Sequence, residues 1–366
     1  MPMVLLYVFG SITLLNILFY LAFAKFSFHK ISAKTVYENS PVSVLICAKN
    51  EAENLKKNIP SILSQNHPNF ELILINDASS DETLDIMEEF KELDSRVQIV
   101  NVVNNETFWG SKKYALTLGI KKAKHKKLVF TDADCAPSSN KWLSIISSEI
   151  LESKELVLGY GAYKKEKGFL NALIRFETLM TATQYFSYAL NGTPYMGVGR
   201  NLAYTSTLFF ENKGFINHIK IASGDDDLFV NEVATKKNTA INYQEDAFTI
   251  STPKNTWSSW ITQKRRHVSA ASHYKKTHKF ILGLFYISNV LFWVAAPLSF
   301  FFIAWEFALA IIVIRFIIQS IVLGKAAYKL KEQNLIPFFI FLEIFLIVGQ
   351  IVIFISNSAS KPTQWK

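Results

Sequence analysis

Apolar and polar positions divide the chain into three stretches. Pro2 to Ala24 is apolar and uncharged throughout, and Lys25, His29, Lys30 and Lys34 follow it. At about 1.5 Å per residue, a helix of this length crosses a hydrocarbon core of about 30 Å. A signal peptide is the competing reading, but it would open on a basic segment and hold a shorter apolar run of about 7–15 residues. Residues 2–24 therefore read as a retained anchor. A second apolar block starts at Phe280 and runs to Ile355 around the polar island Lys325 to Asn334. It accommodates about three spans, near 280–303, 305–324 and 336–356. Only Ala304 to Glu306 part the first two, so a single kinked or re-entrant segment stays open there.

Between these blocks the period changes. From Pro41 to about Ala136, β-rich runs alternate with amphipathic helical stretches. The pattern predicts strands over Val42–Cys47, Glu71–Asn76, Val97–Val103 and Leu128–Thr131, and helices over Glu51–Ser64, Asp81–Phe90 and Ser111–Lys122. Ser79-Ser80-Asp81-Glu82 supplies side-chain oxygens suited to cap a helix start. Such alternation implies right-handed crossovers and a mainly parallel sheet, an α/β fold. Beyond Pro137 it is less regular, with one strand expected over Leu156–Tyr163, a long helix over Phe169–Ala189, and a Gly-rich passage around Gly197 and Gly199. With no internal repeat, residues 41–255 read as one domain, 256–279 as an interfacial helix, and 280–356 as membrane helices.

Composition and charge sharpen this division. Half of the 366 residues are hydrophobic, yet 19% are charged, the mixture expected of a soluble domain joined to membrane spans. Lysines cluster beside each span, at 25, 30 and 34, at 275, 276 and 279, and at 325, 329 and 331. Basic flanks stay cytoplasmic, which predicts a multi-pass cell-membrane protein with residues 25–279 inside and both ends of the four-span chain outside. The tail residues Lys361 and Lys366 argue mildly the other way. The net charge of +9 sits largely in these clusters and in 121–127, so membrane lipids with anionic headgroups, and no nucleic acid, are the expected partners. Cys47 and Cys135 are too few for a disulfide framework or a zinc site and read as reduced, structural thiols. Arg315 and Glu343 would each lie about 10–14 Å inside the membrane, where charges seek partners, and they are expected to pair.

Four polar features then fall in order. Asp77 ends the second strand, Asp132 and Asp134 follow the fourth, Gly224-Asp225-Asp226-Asp227 opens a helix, and Gln263-Lys264-Arg265-Arg266-His267 lies in another before the membrane. In an extended segment, residues i and i+2 point the same way, so Asp132 and Asp134 could share a site at a strand's carboxyl end. Alone, such a pair is more often two solvated turn residues. An acidic helix start is likewise ordinary, since negative side chains suit the positive end of the helix dipole. The basic stretch, with Trp257 and Trp260, also suits a membrane-surface helix. His67, His218 and His278 show no metal-ligand pairing and read as surface or loop residues.

In this serial order the features resemble the inverting, family-two glycosyltransferases with the nucleotide-sugar-binding fold known as A, which include membrane-embedded synthases of cellulose, hyaluronan and ceramide glycosides. The resemblance covers roughly residues 41–270 and extends to Ala48-Lys49-Asn50-Glu51 and Gly110-Ser111-Lys112-Lys113-Tyr114-Ala115-Leu116. It implies an α/β fold with a mainly parallel sheet of the nucleotide-diphospho-sugar transferase A type, plus about four transmembrane helices. Asp77 would bond the base, with Glu51 and Lys112 also on the nucleotide side. Asp132 would touch nucleotide or donor sugar, and Asp134 with Asp132 would bind Mg²⁺ or Mn²⁺, cations that favour oxygen ligands. Asp226 would take the acceptor hydroxyl proton, with Asp225 and Asp227 the alternatives. Repulsion among three adjacent carboxylates should raise the pKa of one of them. Gln263, Arg265 and Arg266 would face the diphosphate, for which a planar guanidinium is well suited. His267 stands where the family has Trp and, with Gly199, would lie on the acceptor side.

The implied function is metal-assisted transfer, with inversion, from a nucleotide-diphosphate sugar (a UDP-sugar favoured) to a lipid-linked acceptor at the cytoplasmic face. An imidazole at 267 offers less stacking area than Trp, which sets a processive polysaccharide synthase second. A non-catalytic, nucleotide-binding membrane scaffold is the alternative of another class.

Overall fold

The computed structural model describes residues 2–31, 40–103, 112–221 and 223–359. Lys34, Gly110, Ser111, Lys361 and Lys366 lie outside the described residues. The chain opens with helix α1 (Pro2–Phe28). Strands and helices then alternate as β1 (Val42–Ala48), α2 (Ala52–Leu63), β2 (Phe70–Asp77), α3 (Thr83–Leu93), β3 (Val97–Val102), α4 (Lys112–Lys122) and β4 (Lys127–Phe130). Next come β5 (Cys135–Pro137), α5 (Trp142–Ser148), β6 (Leu156–Leu158), β7 (Gly161–Tyr163) and α6 (Phe169–Asn191). They lead to β8 (Leu202–Thr205), α7 (Ser206–Glu211), α8 (Asp227–Val233), β9 (Thr239–Ile241) and β10 (Thr249–Ser251). Helices α9 (Trp257–Ala271), α10 (Lys276–Phe302), α11 (Trp305–Lys329) and α12 (Phe339–Ala359) follow.

The main sheet has seven strands in the order β3-β2-β1-β4-β8-β6-β9. β3, β2, β1 and β4 run parallel, β8 is antiparallel to both β4 and β6, and β9 is parallel to β6. Strands covered on both faces need apolar residues at nearly every position, and β1 is buried throughout. Val42, Val44 and Ile46 share a core with Leu55 of α2, Ile86 of α3 and Trp142 of α5. Leu45 and Cys47 belong to the other face, with Ala115 of α4 and Phe176 of α6. A second, three-stranded sheet has the order β5-β10-β7.

The single strand expected over Leu156–Tyr163 is instead two, one in each sheet. Asn201 causes the crossing: it packs so closely on Gly159 that a Cβ there would lie 2.5 Å from Asn201 Cγ. Asn201 Nδ2 also donates to the Tyr160 and Ala247 carbonyls at 2.9 and 2.8 Å. The histidines differ from expectation too. His67 does lie in a loop and His218 closes a short 3-10 turn, Ile216–His218, but both are buried, as is His278 within α10. Their rings fill core gaps beside Phe70, Phe215 and Tyr195.

Four helical stretches, 3–28, 276–302, 305–329 and 333–359, are long and apolar enough to cross a membrane. Ile303 and Ala304 have extended backbone, so α10 and α11 are separate helices rather than one kinked segment. Arg315 and Glu343 do pair, through Nη1–Oε2 at 2.8 Å and Nη2–Oε1 at 2.6 Å. Asn16 and Asn289 accept further bonds from the guanidinium at 3.0 and 3.1 Å, and the Tyr20 hydroxyl donates to Glu343 at 3.0 Å. Removing one partner of a buried pair strands the other charge, so Arg315→Met is expected to destabilise the chain by about 3–5 kcal/mol. Detergent-solubilised thermal unfolding reads that loss, whereas Arg315→Lys should recover part of it.

The helices are fastened to the α/β unit. Arg175 of α6 donates Nε to Glu332 at 2.9 Å, the Tyr243 hydroxyl donates to the His29 carbonyl just after α1 at 2.8 Å, and Ser187 donates to the Phe23 carbonyl at 3.1 Å. One apolar cluster joins Tyr20 and Phe26 of α1 to Leu158 in the sheet and Leu323 of α11. α12 leans on the α/β side: Phe345 meets Phe169 with ring centres 4.8 Å apart, and Trp260 of α9 packs against Gly349.

Candidate active site

Parallel pairing brings the carboxyl ends of β1, β2 and β4 to one edge, the edge where open α/β sheets bind ligands. Asp77 ends β2 and is buried. The residue after it, Ala78, has φ +50°, a left-handed conformation that costs a non-glycine residue about 1–2 kcal/mol. Asn50, after β1, has φ +54°, and its Oδ1 accepts from Ser80 N at 2.8 Å while its own amide donates to Ser79 Oγ at 3.0 Å. The β1 and β2 loops are thus latched together. Glu51 joins the latch through its amide, which donates to Thr83 Oγ1 at 2.8 Å. Asp81 caps both helices, accepting from Thr83 N at 3.0 Å and from Ala52 N at 3.4 Å.

β4 stops at Phe130, so Asp132 and Asp134 stand in the turn beyond it rather than on an extended segment. Their carboxylates still converge: an oxygen from each and Cys135 Sγ lie within 4.8 Å of one another. Cys135 is buried, its Sγ is 3.0 Å from Ser251 Oγ, and burial pushes the thiol well up, which keeps it neutral. The two carboxylates are then the ligands on offer, and they suit a hard cation. Burial, and then the charge of Asp132, push the Asp134 carboxyl above its ordinary range. A divalent ion would offset that excess negative charge, so these residues fit Mg²⁺ or Mn²⁺.

Lys112, at the start of α4, ties this turn to the third acidic cluster. Its Nζ lies 2.8 Å from Asp132 Oδ1 and 3.0 Å from Asp225 Oδ2. Burial works against its charge, but Asp132 and Asp225 outweigh burial and hold its pKa well above the ordinary lysine value. For Asp132 burial likewise favours the neutral acid, and Lys112 overrides it, with Arg200 and Arg266 adding to the effect. Lys112, Asp132, Gly199, Asp225 and Asp226 line one cavity of about 20 Å³, room for about one water.

The acidic cluster owes its position to a left-handed turn. Gly224 has φ +93°, and a Cβ there would lie 2.5 Å from Leu228 Cδ1. Lys113 is buried and donates to the carbonyls of His218, Ile221 and Ser223 at 2.7, 3.0 and 2.8 Å, which fixes the segment leading into that turn. Asp226 accepts two backbone bonds of 2.7 Å, from Gly199 N on Oδ2 and from Asp227 N on Oδ1. Burial, followed by the charge of Asp225, pushes its pKa up to about 6. Asp227 accepts the Tyr274 hydroxyl at 2.6 Å, and burial with the charge of Asp226 pushes it up to about 8.

The basic helix divides its residues between two sides. Arg266 acts electrostatically on Asp132, and its carbonyl accepts from Ser223 Oγ at 3.2 Å. Arg265, expected at the diphosphate, instead directs Nε to Asn357 at 3.1 Å and Nη2 to the Ser356 carbonyl at 3.2 Å, both on α12. Successive helical side chains point about 100° apart, so neighbours cannot both face one site. Gln263 is half-buried and His267 exposed. Lys264 pairs with Glu177 of α6 at 2.7 Å. Lys113, Tyr274 and Arg200 were not singled out from the sequence. Arg200 stacks 4.3 Å over the Tyr163 ring beside Asp134 and Asp132. Its signal was position alone, one residue after Gly199.

The sequence profile described as Glycosyl transferase family 2 matches residues 43–209. The chain carries a family 2 glycosyltransferase domain. The matched region holds Asp77, Asp132 and Asp134; Asp226 and Arg266 lie beyond it. Among similar proteins is an uncharacterized glycosyltransferase of Haemophilus influenzae, 33% identical over 37% of this chain and 42% of its own length. A glucosyltransferase of Escherichia coli, named for UDP-glucose and a GlcNAc-diphosphoundecaprenol acceptor, is 32% identical over 35% of this chain and 48% of its own. These matches span under half the length of either relative. A mannosyltransferase from Pyrobaculum calidifontis, solved with GDP-mannose and Mn²⁺, shares its fold with this chain, with a TM-score of 0.57 over 95% of this chain and 99% of that one, at 16% identity.

Proposed function

We propose that this glycosyltransferase moves a sugar, with inversion, from a nucleotide-diphosphate sugar to a lipid-linked acceptor at the cytoplasmic membrane face. The observation that carries the reading is the meeting of Asp132 and Asp225 on Lys112, which draws the post-β4 turn and the acidic helix start to one edge of the sheet. Residues 41–255 act as the catalytic domain, 256–279 as the interfacial helix, and 2–24 with 280–356 as the membrane part. Asp77 and Glu51 receive the nucleoside side of the donor, a UDP-sugar by preference. Asp132 and Asp134 hold Mg²⁺ or Mn²⁺, which when bound would stabilise negative charge on the departing diphosphate. Arg266 and Arg200 add positive charge from the protein. Asp226 takes the acceptor hydroxyl proton as that oxygen attacks the anomeric carbon from the face opposite the nucleotide, and Gly199 N keeps the carboxylate turned toward the reacting centre. Asp227, on the Tyr274 hydroxyl, carries the proton that relieves repulsion within the cluster.

The lipid-linked acceptor is supported by the membrane helices beside α9 and by the acceptor for which the Escherichia coli relative is named. The cytoplasmic face is supported by the lysine clusters flanking the spans. A second reading, polysaccharide synthesis, has one observation in its favour: a poly-β-1,6-N-acetyl-D-glucosamine synthase of Staphylococcus epidermidis is 37% identical over 25% of this chain and 21% of its own length.

Membranes containing the chain, supplied with a panel of labelled UDP- and GDP-sugars, separate these readings. The expected product extracts into organic solvent with one added sugar, forms with a single preferred donor, and disappears with chelator or in Asp134→Ala. A ladder of lengths would favour the synthase, and no consumption of any donor would favour a scaffold.

A further inference from the structure

Both ends of α12 are tied to the α/β unit. Just before its start, Arg175 of α6 donates to Glu332 at 2.9 Å and to Asn334 Oδ1 at 2.6 Å. At its other end, Arg265 of α9 donates to Asn357 and to the Ser356 carbonyl, and Asn357 Nδ2 returns a bond of 2.9 Å to the Arg265 carbonyl. Between these ties, Phe345 meets Phe169 at the start of α6, and Gly349 lies against Trp260 of α9. α9 holds Lys264, Arg265 and Arg266 within one turn and abuts Ser223 beside the acidic cluster, so it stands on the catalytic side and not in the hydrocarbon core. A helix of the 21 residues of α12 extends about 31 Å. If it crossed a core of about 30 Å, its ends would stand on opposite sides of the membrane, yet both meet the same α/β unit.

The half of the membrane bundle far from the α/β unit has the complementary feature. Its apolar cluster joins Phe9 of α1 to Phe292 and Ala296 of α10, with Ile311 and Phe316 of α11 packed against them. Among the described residues, α12 adds nothing to that cluster. It meets the bundle near its own start, where Glu343 pairs with Arg315 and accepts from the Tyr20 hydroxyl. α12 also leaves one apolar face open. Phe341, Phe345, Val348, Val352 and Ile355 recur every three or four residues, so they form a stripe, and each is exposed. Exposed Phe169 and Trp257, which meet each other beside Phe345, widen it.

We propose that α12 lies along the membrane interface on the catalytic side, with this stripe immersed in lipid, and that the chain crosses the bilayer three times, through α1, α10 and α11. The inference does not depend on the transferase reading. Lipid is the occupant because the same chain supplies three apolar helices that draw the α/β unit to the bilayer, and the ties at Arg175 and Arg265 hold α12 at the level of that unit. α12 has almost no polar face of its own; α6 and α9 cover its inner side, as the polar face of an ordinary interfacial helix would. Trp257 at the margin of the stripe has the amphipathic ring that favours the headgroup level. In the sequence, Lys361 and Lys366 follow α12, and basic flanks favour the side on which the other lysine clusters lie.

Cysteine labelling of the full chain in membrane vesicles of known orientation tests this. The native Cys47 and Cys135 are buried and give little background. Lys167→Cys, in the exposed segment before α6, marks the catalytic side, and Ala304→Cys, in the exposed turn between α10 and α11, marks the opposite side. With a membrane-impermeant maleimide, Ser358→Cys at the end of α12 should label in the same vesicles as Lys167→Cys, and its labelling should be lost in those where Ala304→Cys reacts. Labelling together with Ala304→Cys would overturn the proposal. A nitroxide on Val348→Cys gives a second readout that needs no vesicle orientation. Its collision with dissolved oxygen should be high, as in lipid, and its collision with a water-soluble nickel chelate low. Low collision with both, as beneath a second copy of the chain, would overturn the proposal, as would free access to the chelate. Neither readout uses turnover, so a chain that fails both leaves the transferase reading intact.

Discussion

Asp226→Asn is expected to lower sugar transfer by about 10²- to 10⁴-fold, the contribution of a positioned general base. Donor affinity should change far less, because the nucleotide side of the site lies on the other loops. The substitution is not silent locally. Both Asp226 oxygens accept backbone N–H groups, so an amide nitrogen at either position would face a donor and must rotate away. Nucleotide binding measured alongside turnover separates that disturbance from loss of the base. The pH profile gives an independent signature. Burial and Asp225 raise the Asp226 carboxyl to about 6, and a base acts only when deprotonated, so kcat/KM should climb as pH rises through about 6 and then level off. That limb should vanish in Asp226→Asn. A variant that keeps more than about a tenth of wild-type turnover would remove Asp226 from the role.

Lys112→Met should have the second-largest effect, and it acts on both stability and activity. Its ammonium is the cation between Asp132 and Asp225, with only 15% of the side chain exposed. Removing one member of a buried pair typically costs about 3–5 kcal/mol, and the one-third exposure of Asp132 argues for the lower end. The pH dependence follows from the directions of the shifts. Lys112 holds Asp132 below the ordinary carboxylate range, so that stabilisation is present above about pH 4 and fades as pH falls through the folded value. Lys112 itself is raised above its unfolded value of about 10.4, so its contribution is complete below that pH and is lost only as pH rises through the folded value. The gap between wild type and variant in thermal unfolding should therefore be widest between about pH 5 and 10 and shrink in acid. Activity should fall by more than about 10²-fold, since the two acidic motifs lose what joins them. An equal gap at pH 3 and pH 7 would contradict this account.

The parallel half of the sheet was legible because β1, β2 and β4 are buried on both faces nearly throughout and each helix on one, so hydrophobic period alone separated them. The Arg315–Glu343 pair was legible for a related reason, since intramembrane charges have few ways to be satisfied. Reading failed where a contact distant in sequence decides the outcome. Nothing within Leu156–Tyr163 announces that Asn201 will press on Gly159 and turn the run into a second sheet. Buried His67, His218 and His278 look the same in sequence as exposed ones. The acidic residues of the candidate site were found through their order along the chain. Lys112 and Arg266 were found the same way, but Lys113 and Arg200 were not, because a buried Lys113 bound by three carbonyls cannot be told from its neighbours in a lysine-rich helix. Helical phase also separates Arg265 from Arg266, a distinction that adjacency in sequence hides.

The central claim is that Asp132, Asp134, Asp225 and Lys112 together build one cation-dependent diphosphate site. Calorimetric binding of UDP and GDP to the purified full chain, with and without Mn²⁺, tests it most directly. The account predicts saturable binding that requires the ion, is abolished by chelator, and is lost in Asp134→Ala while Asp226→Asn retains it. Binding of equal strength in chelator, or undiminished in Asp134→Ala, would contradict it.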